Sequence, residues 1–250
     1  VLLVKTRLFG ASQSMLFGIG IFQAFMASLS FYFAIRVSFK YLLFVPVLLF
    51  SAIINVRTGL IVFVINALLS VITFSVHSRG KQLFRLITAV IVIVVFAFVL
   101  FSVFSASENL TISWVNRALE ETAAFLRGTS TGTYATLERM FLFPDKYTAM
   151  FGSGKTLFGV KYVGYSSDVG YINDLHLGGI FYTITLYLSF FALLLGSVRG
   201  SSVEARTIVL LMVATMLVAN VKGSAFRVNE FTNGFFFISL FMNYTSWVRS

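Results

Sequence analysis

The sequence predicts an all-α polytopic membrane protein, with about seven transmembrane helices and one large extracytoplasmic loop that contains short helices. Three observations predict it. Hydrophobic residues make up 58% of the 250 positions and charged residues only 11%, at a mean hydropathy of +0.91, far from the profile of a soluble domain. The apolar runs are long and continuous, where a membrane barrel would need segments of about ten residues alternating in polarity. Phenylalanine alone accounts for 30 residues within a 17% aromatic content, which suits a helix bundle in lipid.

A helix that crosses a bilayer needs about 20 mostly apolar residues, each adding about 1.5 Å. Seven segments qualify in order: 14–35, 41–55, 59–76, 86–104, 179–198, 207–221 and 231–248. The second is short, holds Pro46 and is open to a re-entrant reading. The chain opens on Val1 without a signal-peptide pattern, which reads as a piece whose upstream spans are missing.

Residues 105–178 contain most of the acids and no run able to cross a membrane, so they form the loop. The organisation is therefore N-terminal transmembrane helices over 1–104, the extracytoplasmic loop over 105–178 and C-terminal transmembrane helices over 179–250. Within the loop, "SWVNRALEETAAFLRG" places Val115, Leu119, Thr122 and Leu126 at helical spacing, an amphipathic helix ended by Gly128. "TGTYATLERMFLFP" predicts a second short helix that stops before Pro144.

The net charge of +10 reports orientation and contact with anionic lipid in such a chain; nucleic acid is not an expected partner. Arg36 and Lys40, then Arg79, Lys81 and Arg85, then Arg199 and Arg206, and finally Arg249 fall on one side if the seven spans alternate. That side is the cytoplasm, and the large loop then faces outward with the turns around Arg57 and 222–230. Cysteine is absent, which removes disulfides and thiolate chemistry. His77 and His176 lie far apart without zinc-binding spacing, so no metal and no cofactor is expected.

"MFGSGKTLFG" ends its first half like a nucleotide-binding loop. The glycine that GxxxxGK[ST] requires is replaced by Ala149, and no strand precedes it, so a glycine-rich turn between a short helix and the next segment is the reading kept.

Two constellations break the bland pattern. Arg57 in "NVRTG" and Lys222 with Arg227 in "VKGSAFRVNE" are basic residues on outer turns, where few are expected. Each could snorkel to headgroups; together with Arg139 and Arg127 of the loop they could also converge on an anionic, diphosphate-like ligand. The second is "SSDVGYINDLHLGG", where Asp168 and Asp174 are carboxylates at a membrane entrance, read either as functional or as helix caps. His176 stands there as well. Tyr162, Tyr165 and Tyr171 surround the carboxylates and could stack on sugars or form an interfacial belt.

An Arg-Thr-Gly at the outer start of a span, a large outer loop with an Arg-bearing helix, an "FGSG" turn and "SDVGYINDLHLGGIF" entering the next span together resemble the O-antigen polymerase family, whose layout the O-antigen ligases share. The resemblance covers roughly residues 57–250 and rests on short motifs. It implies a metal-independent helical glycosyltransferase that joins undecaprenyl-diphosphate-linked oligosaccharide repeats into surface polysaccharide at the outer face of the bacterial plasma membrane. Arg57 of "RTG" and Arg139 of "TLERM" match arginines placed around the substrate phosphates, and Asp168 matches the acid of a D-x-G-Y segment. Arg227 joins them by topology alone. Ser166 and Ser167 stand where ligases tend to carry a histidine, which favours polymerase over ligase. On this reading Asp168 is the general base with His176 second, Tyr165 and Tyr171 contact glycan, and the helix around 115–126 is a lid on the membrane. Membrane lipids are the other expected partner, and a chain-length regulator is left open. A lipid-linked saccharide transporter and a structural membrane protein are the rival readings.

Overall fold

The computed structural model describes residues 17–56, 58–75, 87–88, 90–91, 120–121, 123–124, 127–129, 132–157, 166–196, 198, 202–226 and 230–248. All regular structure among them is helical. Most of the expected span over 86–104, apart from helical residues 87–88 and 90–91, and most of the amphipathic helix at 113–126 lie outside the described residues. The chain divides into two compact units, Val1–Glu120 and Glu121–Ser250.

The first unit is built on α1 (Phe17–Arg36). A 3-10 turn (Phe39–Leu43) leads into α2 (Phe44–Asn55), followed by α3 (Thr58–Ser75); both helices pack on α1. Pro46 sits in the first turn of α2, where its missing N–H breaks no intrahelical bond. The expected span 41–55 is thus a 3-10 turn plus a short helix. Phe31 of α1 and Phe63 of α3 meet edge to face at 6.2 Å between ring centroids, at the centre of a core with Ala27, Ile35, Val45 and Phe74. Asn55, at the end of α2, donates to Gln23 Oε1 across the helix pair.

The second unit opens with helical residues 121 and 123–124, and the chain turns at Gly128, whose φ is +82°; Thr129 N–H closes the end on Ala124 O, as expected from the sequence. Short helices α4 (Gly132–Arg139) and α5 (Lys146–Phe151) precede α6 (Gly170–Gly196), α7 (Val203–Ala219) and α8 (Glu230–Val248). Contacts link α5 to α6, α6 to α7 and α7 to α8. Phe226, buried between α7 and α8, stacks on Tyr187 at 4.1 Å and meets Phe190 and Phe191 edge-on.

Among the described residues two helices, α1 and α6, are long and apolar enough to cross a membrane; α2, α3 and α8 contribute shorter apolar stretches. Helix α1 is mostly buried, whereas α6 is mostly exposed. Large apolar side chains stand exposed in stripes at helical spacing: Ile61, Val64, Leu68 and Ile72 on α3, Phe181, Ile184, Leu188 and Leu195 on α6, and Phe237, Leu240 and Phe241 on α8.

Helix α6 is two helices joined at Gly179, whose φ of +72° and ψ of −173° are non-helical. The expected span 179–198 starts at this break. The preceding stretch from Gly170, read from sequence as the end of the loop, is helical. Beyond the break the helix rises about 26 Å, close to the thickness of a hydrocarbon core.

Candidate functional site at a broken helix

A break in a helix frees the carbonyls of the turn before it, and buried carbonyls need donors. The "FGSG" turn supplies them. Ser153 N–H and Oγ–H donate to His176 O at 2.7 and 2.9 Å, and Gly154 N–H donates to Leu177 O at 3.0 Å. The turn can come this close because Gly152 and Gly179 both have positive φ, 76° and 72°. A Cβ on Gly152 would strike Leu177 O and Gly178, and one on Gly179 would strike Met150 O. The N–H groups of Ser153 and Gly154 are therefore bonded to helix carbonyls, where a phosphate-cradling loop would turn them toward its ligand. The sequence reading of a turn here, against a nucleotide loop, agrees with this geometry.

The loop before α5 is tied to the same helix. His176 Nε2 lies 3.0 Å from Leu142 O; a carbonyl only accepts, so Nε2 carries the proton. Asp145 caps α5 by accepting from Thr148 N–H. Its carboxyl is held below the ordinary carboxylate range, first by hydrogen bonding with Thr148. A depressed folded-state pKa means the cap stabilises α5 above the unfolded value and is lost as pH falls through the folded one. Protection of the amides at 146–149, taken as exchange relative to the intrinsic rate at each pH, is expected to stay constant from about pH 8 to 5 and to fall below about pH 4; loss of protection already near pH 6 would contradict the cap.

Upstream, Ser167 Oγ donates to Met140 O at 2.6 Å, fastening the residue that follows Arg139 to the segment that carries Asp168. Asn173 holds that segment in shape: its Nδ2 donates to Ser167 O and Val169 O, and its Oδ1 accepts from Leu157 N–H. Asp168 is half-buried beside this knot, two residues before α6.

The glycine of D-x-G-Y also has a physical reason. Gly170 N–H donates to Asn220 O at 2.8 Å, and a Cβ there would collide with Asn220 Oδ1 and Gly223 O. Only glycine lets the turn between α7 and α8 seat on the start of α6. The start of "SSDVGYINDLHLGG" and the turn at 220–223 that opens "VKGSAFRVNE" are thereby neighbours.

Beneath them runs a buried polar chain. Asn220 Nδ2 donates to Tyr187 Oη at 2.7 Å, and Tyr187 O–H donates to Asp174 Oδ2 at 2.7 Å. Asn220 Oδ1 accepts from Ala225 N–H at 2.8 Å, and Thr232 Oγ1–H donates to Ala225 O at 2.7 Å. Asp174 and Asn220 are fully buried. Asp174 therefore sits inside a helix and joins its two halves, in place of the capping role the sequence allowed. Asn220→Leu removes two buried hydrogen bonds, from its Nδ2 to Tyr187 Oη and from Ala225 N–H to its Oδ1, and is expected to cost about 1–3 kcal/mol. Thermal unfolding in detergent reads this; an unshifted midpoint would contradict it.

The structure thus brings Asp168, Tyr171, His176 and the chain just after Arg139 into one assembly. Arg139 itself is exposed at the end of α4. Tyr171 donates its O–H to Leu217 O at 2.7 Å and packs edge-on against Tyr187, so its hydroxyl is engaged with α7. Arg57 belongs to the first unit, between α2 and α3; Arg57, Arg227 and Tyr165 lie outside the described residues. Reading the sequence alone did not single out Ser153, Asn173, Tyr187 or Asn220. The available signal was a polar side chain within or at the end of an apolar run, at Tyr187 and Asn220.

Comparison of the chain with protein-family models, with curated proteins and with solved structures returns no match in any of the three.

Proposed function

We propose that the chain is a membrane glycosyltransferase that polymerises undecaprenyl-diphosphate-linked oligosaccharide repeats at the outer face of a bacterial plasma membrane. The observation that carries this reading is the gathering of four motif-bearing segments along the half of α6 that precedes its break. The chain after Arg139, the "FGSG" turn, the Asp168 segment and the α7–α8 turn all meet there through direct hydrogen bonds. The exposed apolar stripes of α3, α6 and α8 support a lipid environment, because soluble chains rarely expose such patches.

In this mechanism a sugar hydroxyl of one lipid-linked chain attacks the anomeric carbon of another. The new glycosidic bond forms as the bond from that carbon to the diphosphate oxygen breaks, and undecaprenyl diphosphate leaves. Asp168 takes the hydroxyl proton, and the arginines Arg57, Arg139 and Arg227 stabilise the developing negative charge. His176, with Nε2 donating to Leu142 O, positions the 140–145 loop and keeps Nδ1 as its remaining polar atom. Seven spans with an outward loop belong to the same proposal.

One observation favours a second reading. Secondary transporters often form their binding sites from broken helices, and α6 is broken at Gly179.

Complementation of a strain deleted for the gene tests the enzyme reading. The wild-type gene is expected to restore a polysaccharide ladder, and Arg57→Ala or Arg139→Ala, at normal protein level, to leave single-repeat product. An unchanged ladder in both variants would remove the arginines from the site, and no glycan change with the wild-type gene would remove the enzyme.

A further inference from the structure

Residues 141–151 should be the polar surface of an outer loop, yet they expose large apolar groups. Phe143 is 75% exposed, Tyr147 70%, Phe151 61% and Met150 49%. Tyr147, Met150 and Phe151 are spaced i, i+3, i+4 and share one face of α5, with the rings of Tyr147 and Phe151 at 5.3 Å. Thr148 and Ala149, by contrast, are half-buried. We propose that this face is seated in the surface of a phospholipid bilayer, at the boundary between headgroups and acyl chains, an inference that rests on the membrane reading above.

Continuity commits the face to lipid. Gly152 packs on Leu177 and Gly178, and Gly179 packs on Met150 and Phe151. At that level the exposed apolar surface of α6 begins, with Ile180, Phe181 and Tyr182. The α5 face and the α6 stripe therefore meet at the break, where a helix entering a bilayer would cross its surface. Exposed Lys146 stands in the first turn of α5, and exposed Arg139 and Lys155 lie on either side of it in sequence, cations of the kind an interfacial segment sets at phosphate depth. The seat has a consequence for the site. It holds His176 and the end of α4 at the depth of headgroup phosphates, where the diphosphate of a lipid-linked saccharide also lies.

The cysteine-free chain allows single-cysteine labelling without background. Nitroxide labels on Phe143→Cys, Tyr147→Cys and Phe151→Cys of the full chain in phospholipid vesicles report collision with oxygen, which concentrates in lipid, and with a nickel chelate, which stays in water. Glu138→Cys on α4 and Leu188→Cys on α6, both exposed positions, give the water and lipid references. Folding of each variant is checked by circular dichroism, and any two of the three test positions suffice. The expected result is an oxygen-to-nickel ratio several-fold above that at 138 and approaching that at 188. A ratio equal to that at 138 overturns the proposal, as does protection from both reagents, which would mean a second copy or another protein covers the face. A water-like ratio at 188 itself would instead overturn the membrane reading.

Discussion

Gly179→Ala is expected to lower the stability of the second unit by at least about 3 kcal/mol, combining a backbone region open essentially to glycine with a methyl driven into its neighbour. The neighbour is the Met150 carbonyl, with Phe151 N beside it. Neither is the movable tip of a side chain, so relief requires α5 to leave the helix. The other way to relieve the strain is for α6 to run straight through 179. His176 O and Leu177 O would then regain helical donors, and Ser153 and Gly154 would lose their partners. Both routes predict the same pair of readings: a melting midpoint lower by on the order of 10 °C in detergent, and faster exchange at the amides of 153 and 154. A midpoint within a degree of wild type, with those amides still protected, would contradict the break as a built feature.

Asp168→Asn is expected to slow polymerisation by about 10²–10⁴-fold at unchanged protein level, the usual worth of a positioned general base. Asparagine keeps the size and hydrogen-bonding reach of the side chain and removes its capacity to take a proton. Asp168 lies outside the buried hydrogen-bond chain of Asp174, Tyr187 and Asn220, so its loss should leave the melting midpoint nearly unchanged. Asp174→Asn should do the reverse, since it alters a fully buried acceptor that joins the halves of α6. Measuring rate and midpoint for both variants separates the roles. Full activity in Asp168→Asn would sink the assignment of the base; a fall in rate matched by a fall in folded protein would reassign Asp168 to structure.

Much of the helical layout was legible because apolar length is a strong signal. Most of the apolar runs outside 86–104 hold a helix, the span beginning at 179 starts at the break, and Gly128 ends its helix by positive φ as its position suggested. The stretch from Gly170 to the break was illegible as helix because "GYINDLHLG" has neither apolar periodicity nor a strong cap. Its helicity depends on tertiary partners: the Asn220 turn at one end and the Ser153 turn at the other. The site was legible in part for the same reason. Glycines and acids stand out within short motifs, whereas Asn220 contributes through a turn fifty residues from Gly170, and no local pattern reports that contact. The division into two units at 120 and 121 left no compositional mark at all.

The central claim, transfer of one lipid-linked saccharide onto another, is tested most directly with the purified full chain in proteoliposomes supplied with an undecaprenyl-diphosphate oligosaccharide. The expected result is a ladder of lengthened glycan, with one undecaprenyl diphosphate released for each bond formed and no requirement for nucleotide. Saccharide that crosses the bilayer at its original length would contradict that claim and establish the transporter reading in its place.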